Sequence, residues 1–292
     1  MTVEQGMPRR LSPTAIDRYR ECPKAAWFQY VAKLGGKEPV NPHFALGNAV
    51  HAALDRFYGL DPQVRSRELL EKCLRAVWAR HRGTAFHSRD EEADYGRQGL
   101  RMLATYWDRF DMSAVPLARE RWFSVRLEND VEIYCKADRV DGSLPGHGPG
   151  PGQVPPDEEP PPTLLHEGEL EVVDYKTSRL WDLTVEDLPD ESPAQAYAVA
   201  VTDAYSKRGL HVSRLSYIFL AEDCQVVPWD LEEDDLAAAR ESLVERTSRM
   251  LEDRDFDANP GEHCSRCRFA DICPEAGRVE PAELVVPEGM PF

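Results

Sequence analysis

The stretch Glu171-Val172-Val173-Asp174-Tyr175-Lys176-Thr177 is rich in β-branched and aromatic residues, yet it ends on a carboxylate and an ammonium. In a strand, side chains two apart point the same way. Asp174 and Lys176 therefore share one face with Val172, while Val173 and Tyr175 point to the other. Setting two charges at the end of an apolar strand is costly unless they are paired or used. A second carboxylate, Asp138, closes the preceding strand in Cys135-Lys-Ala-Asp138-Arg-Val-Asp141. The Pro/Gly-rich insertion between them, Gly142 to Thr163, is expected to be disordered. Because closure cost grows slowly with loop length, Asp138 and Asp174 are expected to converge. Two carboxylates with positions left for water suit Mg²⁺ or Mn²⁺. Such an ion acidifies bound water and stabilises charge on a phosphate under in-line attack, with Lys176 orienting or deprotonating the water, or neutralising the phosphate.

Working outward, Gly47-Asn-Ala-Val-His51 lies on an expected helix from about Phe44 to Tyr58. Gly47 and His51 share a face there, and glycine permits close approach to another backbone, so His51 can reach the metal across the sheet. Ser12-Pro13 is a favourable start for the first helix, which runs past Cys22 towards Tyr30 with Pro23 able to kink it. Further helices are expected at Arg65–Arg80 and Glu91–Phe110. Strands follow at Arg119–Leu127, Val131–Val140 and Leu170–Tyr175, then a helix at Pro193–Ser206. Strands at Leu215–Leu220 and Gln225–Trp229 precede a long helix from Leu231 to about Leu251. The expectation is one α/β domain over 1–292: a helical region at about 12–110, a mixed sheet with flanking helices at about 117–255, and a cysteine-bearing tail at about 257–277 packed on the N-terminus.

The 292 residues are 42% hydrophobic and 30% charged, with no apolar run long enough to cross a membrane and no secretory leader at Met1–Arg10. A cytoplasmic protein is expected. The net charge of −17 argues against bulk attraction to nucleic acid, although a local patch or bound metal can overcome it. Seven cysteines, an odd number, point to metal or redox chemistry rather than a disulfide scaffold. Three of them form Cys264-Ser-Arg-Cys267 and Cys273 near the C-terminus. They need a fourth ligand, and Cys22 is the natural candidate, with His263 as an alternative. Cys73, Cys135 and Cys224 have no matching partners and read as small buried residues.

Taken in order, Gly47-x-x-x-His51, Glu120, Asp138, Asp174-x-Lys176 and Gln195 on the following helix resemble the successive motifs of RecB-like PD-(D/E)XK nucleases. That group includes the RecB and AddB repair nucleases and the exonucleases of CRISPR spacer acquisition. The likeness spans about Ser12 to Cys273. It implies the restriction-endonuclease-like fold and a hydrolase cleaving DNA. It further implies His51, Asp138 and Asp174 as metal ligands, Lys176 as the catalytic lysine, and Glu120 and Gln195 as supporting positions. The chain departs from the pattern where Gln195 is followed by Tyr197 and position 199 is Val. The resemblance also implies a [4Fe–4S] cluster on Cys22, Cys264, Cys267 and Cys273, although thiolates at this spacing accept zinc as well.

Two functional readings stay open. One is an exonuclease on single-stranded or frayed DNA ends in repair or CRISPR adaptation, working beside a separate helicase or an adaptation protein, since the chain has no P-loop. The other is a catalytically inactive iron–sulfur module that keeps the fold to bind nucleic acid or a partner. Trp27, Phe28 and Tyr30, near Arg18, Arg20 and Lys24, read either as a stacking surface for bases or as the core of the first helix.

Overall fold

The computed structural model describes residues 6–34, 41–83, 85–142, 165–180 and 182–276. The insertion expected to be disordered lies outside them, except that Gly142 still belongs to a strand.

Three helices precede most of the sheet: α3 (Pro42–Tyr58), α4 (Arg67–His81) and α5 (Arg89–Arg109). Each starts on a side chain that accepts from the first turn, namely Asn41, Ser66 and Ser88, which answers amides the helix itself leaves unbonded. The N-terminal helix is not continuous to Tyr30 as expected. It divides into α1 (Pro13–Glu21) and α2 (Pro23–Ala26), the latter running on as a π-helical turn, Trp27–Val31. Cys22 sits extended in the break, closing α1 and opening α2, because proline after it disfavours helical backbone. Helices α6 (Ser192–Tyr205) and α7 (Glu233–Glu252) complete the set.

The strands are β1 (Arg10–Leu11), β2 (Ala118–Arg126), β3 (Glu132–Gly142), β4 (Glu169–Lys176), β5 (His211–Phe219) and β6 (Gln225–Asp230). They form one mixed six-stranded sheet in which β4 runs parallel to β5 and antiparallel to β3. A two-residue strand such as β1 carries no period and is invisible to pattern reading.

Helices cover both faces, as parallel pairing inside a sheet requires. On one face Ile133, Cys135, Val172 and Tyr217 join residues of α1, α6 and α7 in one core. On the other, Val173, Tyr175 and Ile218 pack with α3, α4 and α5. Strand β2 lies along one edge of β3 from Glu132 to Val140, so β1 and β4 must share the opposite edge. There β1 pairs only at Glu132 and Ile133, and β4 only from Arg139 to Gly142. The sheet therefore forks just before Arg139. The next step of the β3–β4 register sets Asp138 against Asp174 at the mouth of that fork.

A reversal coincides with the fork. Ala137 and Val140 both belong to the α6-side core although they lie an odd number of positions apart, and so do Ala118 and Phe123 on β2. Both strands thus swap faces between those positions. Glu120, which the β2–β3 register sets opposite Asp138, takes the left-handed backbone there with φ of +45°. A residue with a Cβ pays for that conformation, so the surroundings must hold it.

Candidate active site and cysteine pocket

At the fork, His51 Nδ1 on α3 lies 3.2 Å from Asp138 Oδ1 and 3.7 Å from Glu120 Oε1. The other Asp138 oxygen accepts the Tyr175 N–H at 2.8 Å, an amide the split ladder leaves without a strand partner. Lys136 Nζ closes on Glu120 Oε2. Gly47 brings α3 close to the end of β4: a Cβ there would meet Thr177 Oγ1 at 3.0 Å. Ligand atoms of His51, Glu120 and Asp138 all lie within 4.8 Å of one another, the only such set of three among the described residues. They line an open cleft of about 440 Å³ shared with His43, Asn48, His81, Lys136 and Thr177.

Burial alone would drive the proton off His51, but the Asp138 carboxylate, helped by Glu120 and Asp174, overrides it and lifts the imidazole to about 10. Glu120 is opposed by its own burial, yet its bonds with His51 and Lys136 hold it down at about 2. Burial pushes Asp138 upward against the pull of His51, and the Asp174 charge adds to the push. A proton is therefore retained on the His51–Asp138 pair. Carboxylate oxygens and an imidazole converging on one point suit a divalent cation, which would replace that proton.

Asp174 and Lys176 stand beside this set. Lys176 Nζ is 2.8 Å from Asp174 Oδ1 and 4.4 Å from the centre of the Tyr217 ring, on the strand residue paired with Asp174. Burial lowers the affinity of Lys176 for its proton, but the Asp174 and Asp138 charges outweigh it, so it stays an ammonium. Of the expected residues, the structure gathers His51, Glu120 and Asp138 and sets Asp174 and Lys176 next to them. Gln195 on α6 donates its amide to the Pro189 carbonyl at 2.6 Å and to Ser242 Oγ at 3.1 Å, tying α6 to α7. Tyr197 donates instead to the Lys136 carbonyl at 3.2 Å, behind the site. Sequence reasoning passes over Lys136, although its spacing two residues before Asp138 was the available signal.

Far from this cleft, Cys22, Cys264, Cys267 and Cys273 line one pocket with Ala25, Phe28 and Phe269. None is in a disulfide. The Asn259 N–H donates to Cys22 Sγ at 3.5 Å across 237 positions of sequence. Phe28 is buried here against Phe269, while Trp27 and Tyr30 are partly buried and packed against the main core. Cys73, Cys135 and Cys224 are buried elsewhere.

The family model of the PD-(D/E)XK nuclease superfamily matches residues 10–148 and 164–274, and the chain belongs to that superfamily. Its members are nucleases that use divalent metals. Among solved structures, one from Eubacterium rectale described as a "Putative exonuclease" is similar at 9% identity and a TM-score of 0.47, covering 89% of this chain and 88% of its own. No curated protein matches the chain. Among the described residues no helix is long and apolar enough to cross a membrane.

Proposed function

We propose that this chain hydrolyses phosphodiester bonds of DNA with Mg²⁺ or Mn²⁺, as an exonuclease on single-stranded or frayed ends. The observation that carries the reading is the meeting of His51, Glu120 and Asp138 at the strand fork, with the Asp174–Lys176 pair alongside. His51, Glu120 and Asp138 would hold the metal, and Asp174 would complete the set from β4. When bound, the ion supplies acidified water and charge stabilisation at the phosphate. Lys176, cationic and oriented by Asp174, neutralises charge building on the phosphate oxygens; that suits it better than the role of base. Lys136 keeps Glu120 ionised. The resemblance to RecB-like enzymes suggests repair or CRISPR adaptation as the setting, with a helicase or adaptation protein as partner. His51, Glu120, Asp138 and Lys136 lining one cleft, with Asp174 and Lys176 paired nearby, speaks against the inactive module.

The cysteine pocket is proposed to hold a [4Fe–4S] cluster. The four thiols lining one pocket support a shared metal group, and it is the resemblance to RecB-like enzymes that favours the iron–sulfur cluster over zinc.

The test of the enzyme is digestion of end-labelled single- and double-stranded DNA with Mg²⁺ or Mn²⁺. Lys176→Ala and Asp174→Ala are each expected to slow cleavage by about a hundredfold or more while the fold persists. Equal rates in all three proteins would remove the assignment.

A further inference from the structure

Beyond the fork, the face of β2 and β3 that carries Glu120 and Lys136 is left open. Helix α3 covers its Asp138 end, where His51 and the Asp55–Arg119 pair at 2.8 Å dock. Past that point Trp122, Ser124 and Arg126 are exposed. Trp122 is 62% exposed, uncommon for the largest apolar side chain. It pairs across the strands with Lys136, whose ammonium contacts Glu120, and it follows Glu120 by two residues, about 7 Å along the strand. Its ring leans on Tyr134 with centroids 5.7 Å apart and planes inclined by 42°, and the Arg10 guanidinium lies 4.6 Å over the Tyr134 ring.

A line of cation and two rings thus runs straight out of the candidate active site. Ring faces take bases only when those bases are unpaired, whereas a protein partner would be expected to meet a broader apolar patch. The charges fit as well. Arg10, Arg126 and Lys136 offset Glu132, Asp130 and Glu120 along this strip, so it is near neutral in a chain of net charge −17. Arg10 and Arg126 keep most of their side chains in water, where phosphates can meet them.

Resting on the nuclease reading, we infer that Trp122, Tyr134 and Arg10 form a stacking platform for unpaired bases of the nucleic acid strand that enters the cleft. The platform makes a single strand, rather than intact duplex, the ligand of this face.

The test is a titration of labelled oligothymidylate by fluorescence anisotropy with Ca²⁺ present, repeated with a blunt duplex. Trp122→Ala is expected to weaken the single-strand affinity about tenfold, Tyr134→Ala to weaken it less, and Trp122→Phe to recover most of it, all with little change for duplex. Trp122 is exposed, so melting temperatures should stay close to wild type. Unchanged single-strand affinity in Trp122→Ala overturns the platform and leaves the nuclease reading standing. A shift of Trp122→Ala to a smaller species on sizing, with unchanged affinity, overturns it in favour of a second copy of the chain. A wild-type protein that neither binds nor cuts single strands removes the platform and the functional reading together.

Discussion

Glu120 shows how a single backbone angle marks a site. Its φ of +45° is a conformation that residues bearing a Cβ avoid, and it falls opposite Asp138 where two strands exchange faces. The carboxylate is what gains from that geometry, since it meets both His51 and Lys136. Replacing it by glycine or alanine removes the same carboxylate, but only glycine relieves the backbone. Glu120→Gly is therefore expected to be more stable than Glu120→Ala by about 1 kcal/mol in denaturant unfolding. Both variants should need higher Mg²⁺ or Mn²⁺ to reach half-maximal cleavage. A Glu120→Ala protein at least as stable as Glu120→Gly would show that the backbone is not held against its preference. Asp174 and Lys176 were legible in the sequence because strand alternation is regular along β4, and Asp138 because it closes the preceding strand, although β3 exchanges faces beside it. Glu120 was legible only through resemblance, because a left-handed residue inside a strand leaves no trace in a period of two.

At the scale of elements, the longer strands and helices could be read from periodicity, whereas β1, the break in the first helix and the fork that joins the strands into a site could not. Arg139 follows Asp138 and is buried, with 1% of its surface exposed. Its guanidinium donates to Tyr106 and Tyr175 at 2.7 and 2.8 Å, pairs with Asp141 at 2.9 Å and lies over the Tyr58 ring at 4.5 Å. These contacts lock β3 to β4, α3 and α5 just behind the mouth of the fork. In the sequence Arg139 looks like an ordinary surface charge at a strand end, since nothing local announces three tyrosines from distant segments. Arg139→Met leaves the Asp141 charge buried and unpaired, and is expected to cost about 3–5 kcal/mol in unfolding free energy. Adding Asp141→Leu removes that stranded charge and should recover most of the loss. A double variant as unstable as the single one would mean that the tyrosine hydrogen bonds, not the ion pair, carry the stabilisation.

Across the whole molecule, the segments 22–28 and 258–276 meet on the cysteine pocket. Asn259 Nδ2 donates to the Glu21 carbonyl at 3.0 Å, and the rings of Phe28 and Phe269 pack tilted with centroids 5.4 Å apart. Those contacts alone are few for holding together segments 237 positions apart. Closing so long a loop through a shared metal group would restrict the unfolded chain, on the reasoning that applies to a long-loop cross-link. In the sequence Cys22 stands out through the need of the three C-terminal thiolates for a fourth partner, whereas the helix break that presents it from an extended residue emerges only in the structure, where Pro23 follows it. Cys22→Ala is therefore expected to lose visible absorbance, bound iron and acid-labile sulfide, and to lower stability by about 2–5 kcal/mol. Cys73→Ala, altering a buried thiol on the other side of the sheet, should keep the absorbance and lose only a little packing. Iron and sulfide retained in Cys22→Ala would move the fourth ligand to another group, His263 being the neighbour to test next. Zinc without sulfide in the wild-type protein would keep the clamp and replace the cluster within it.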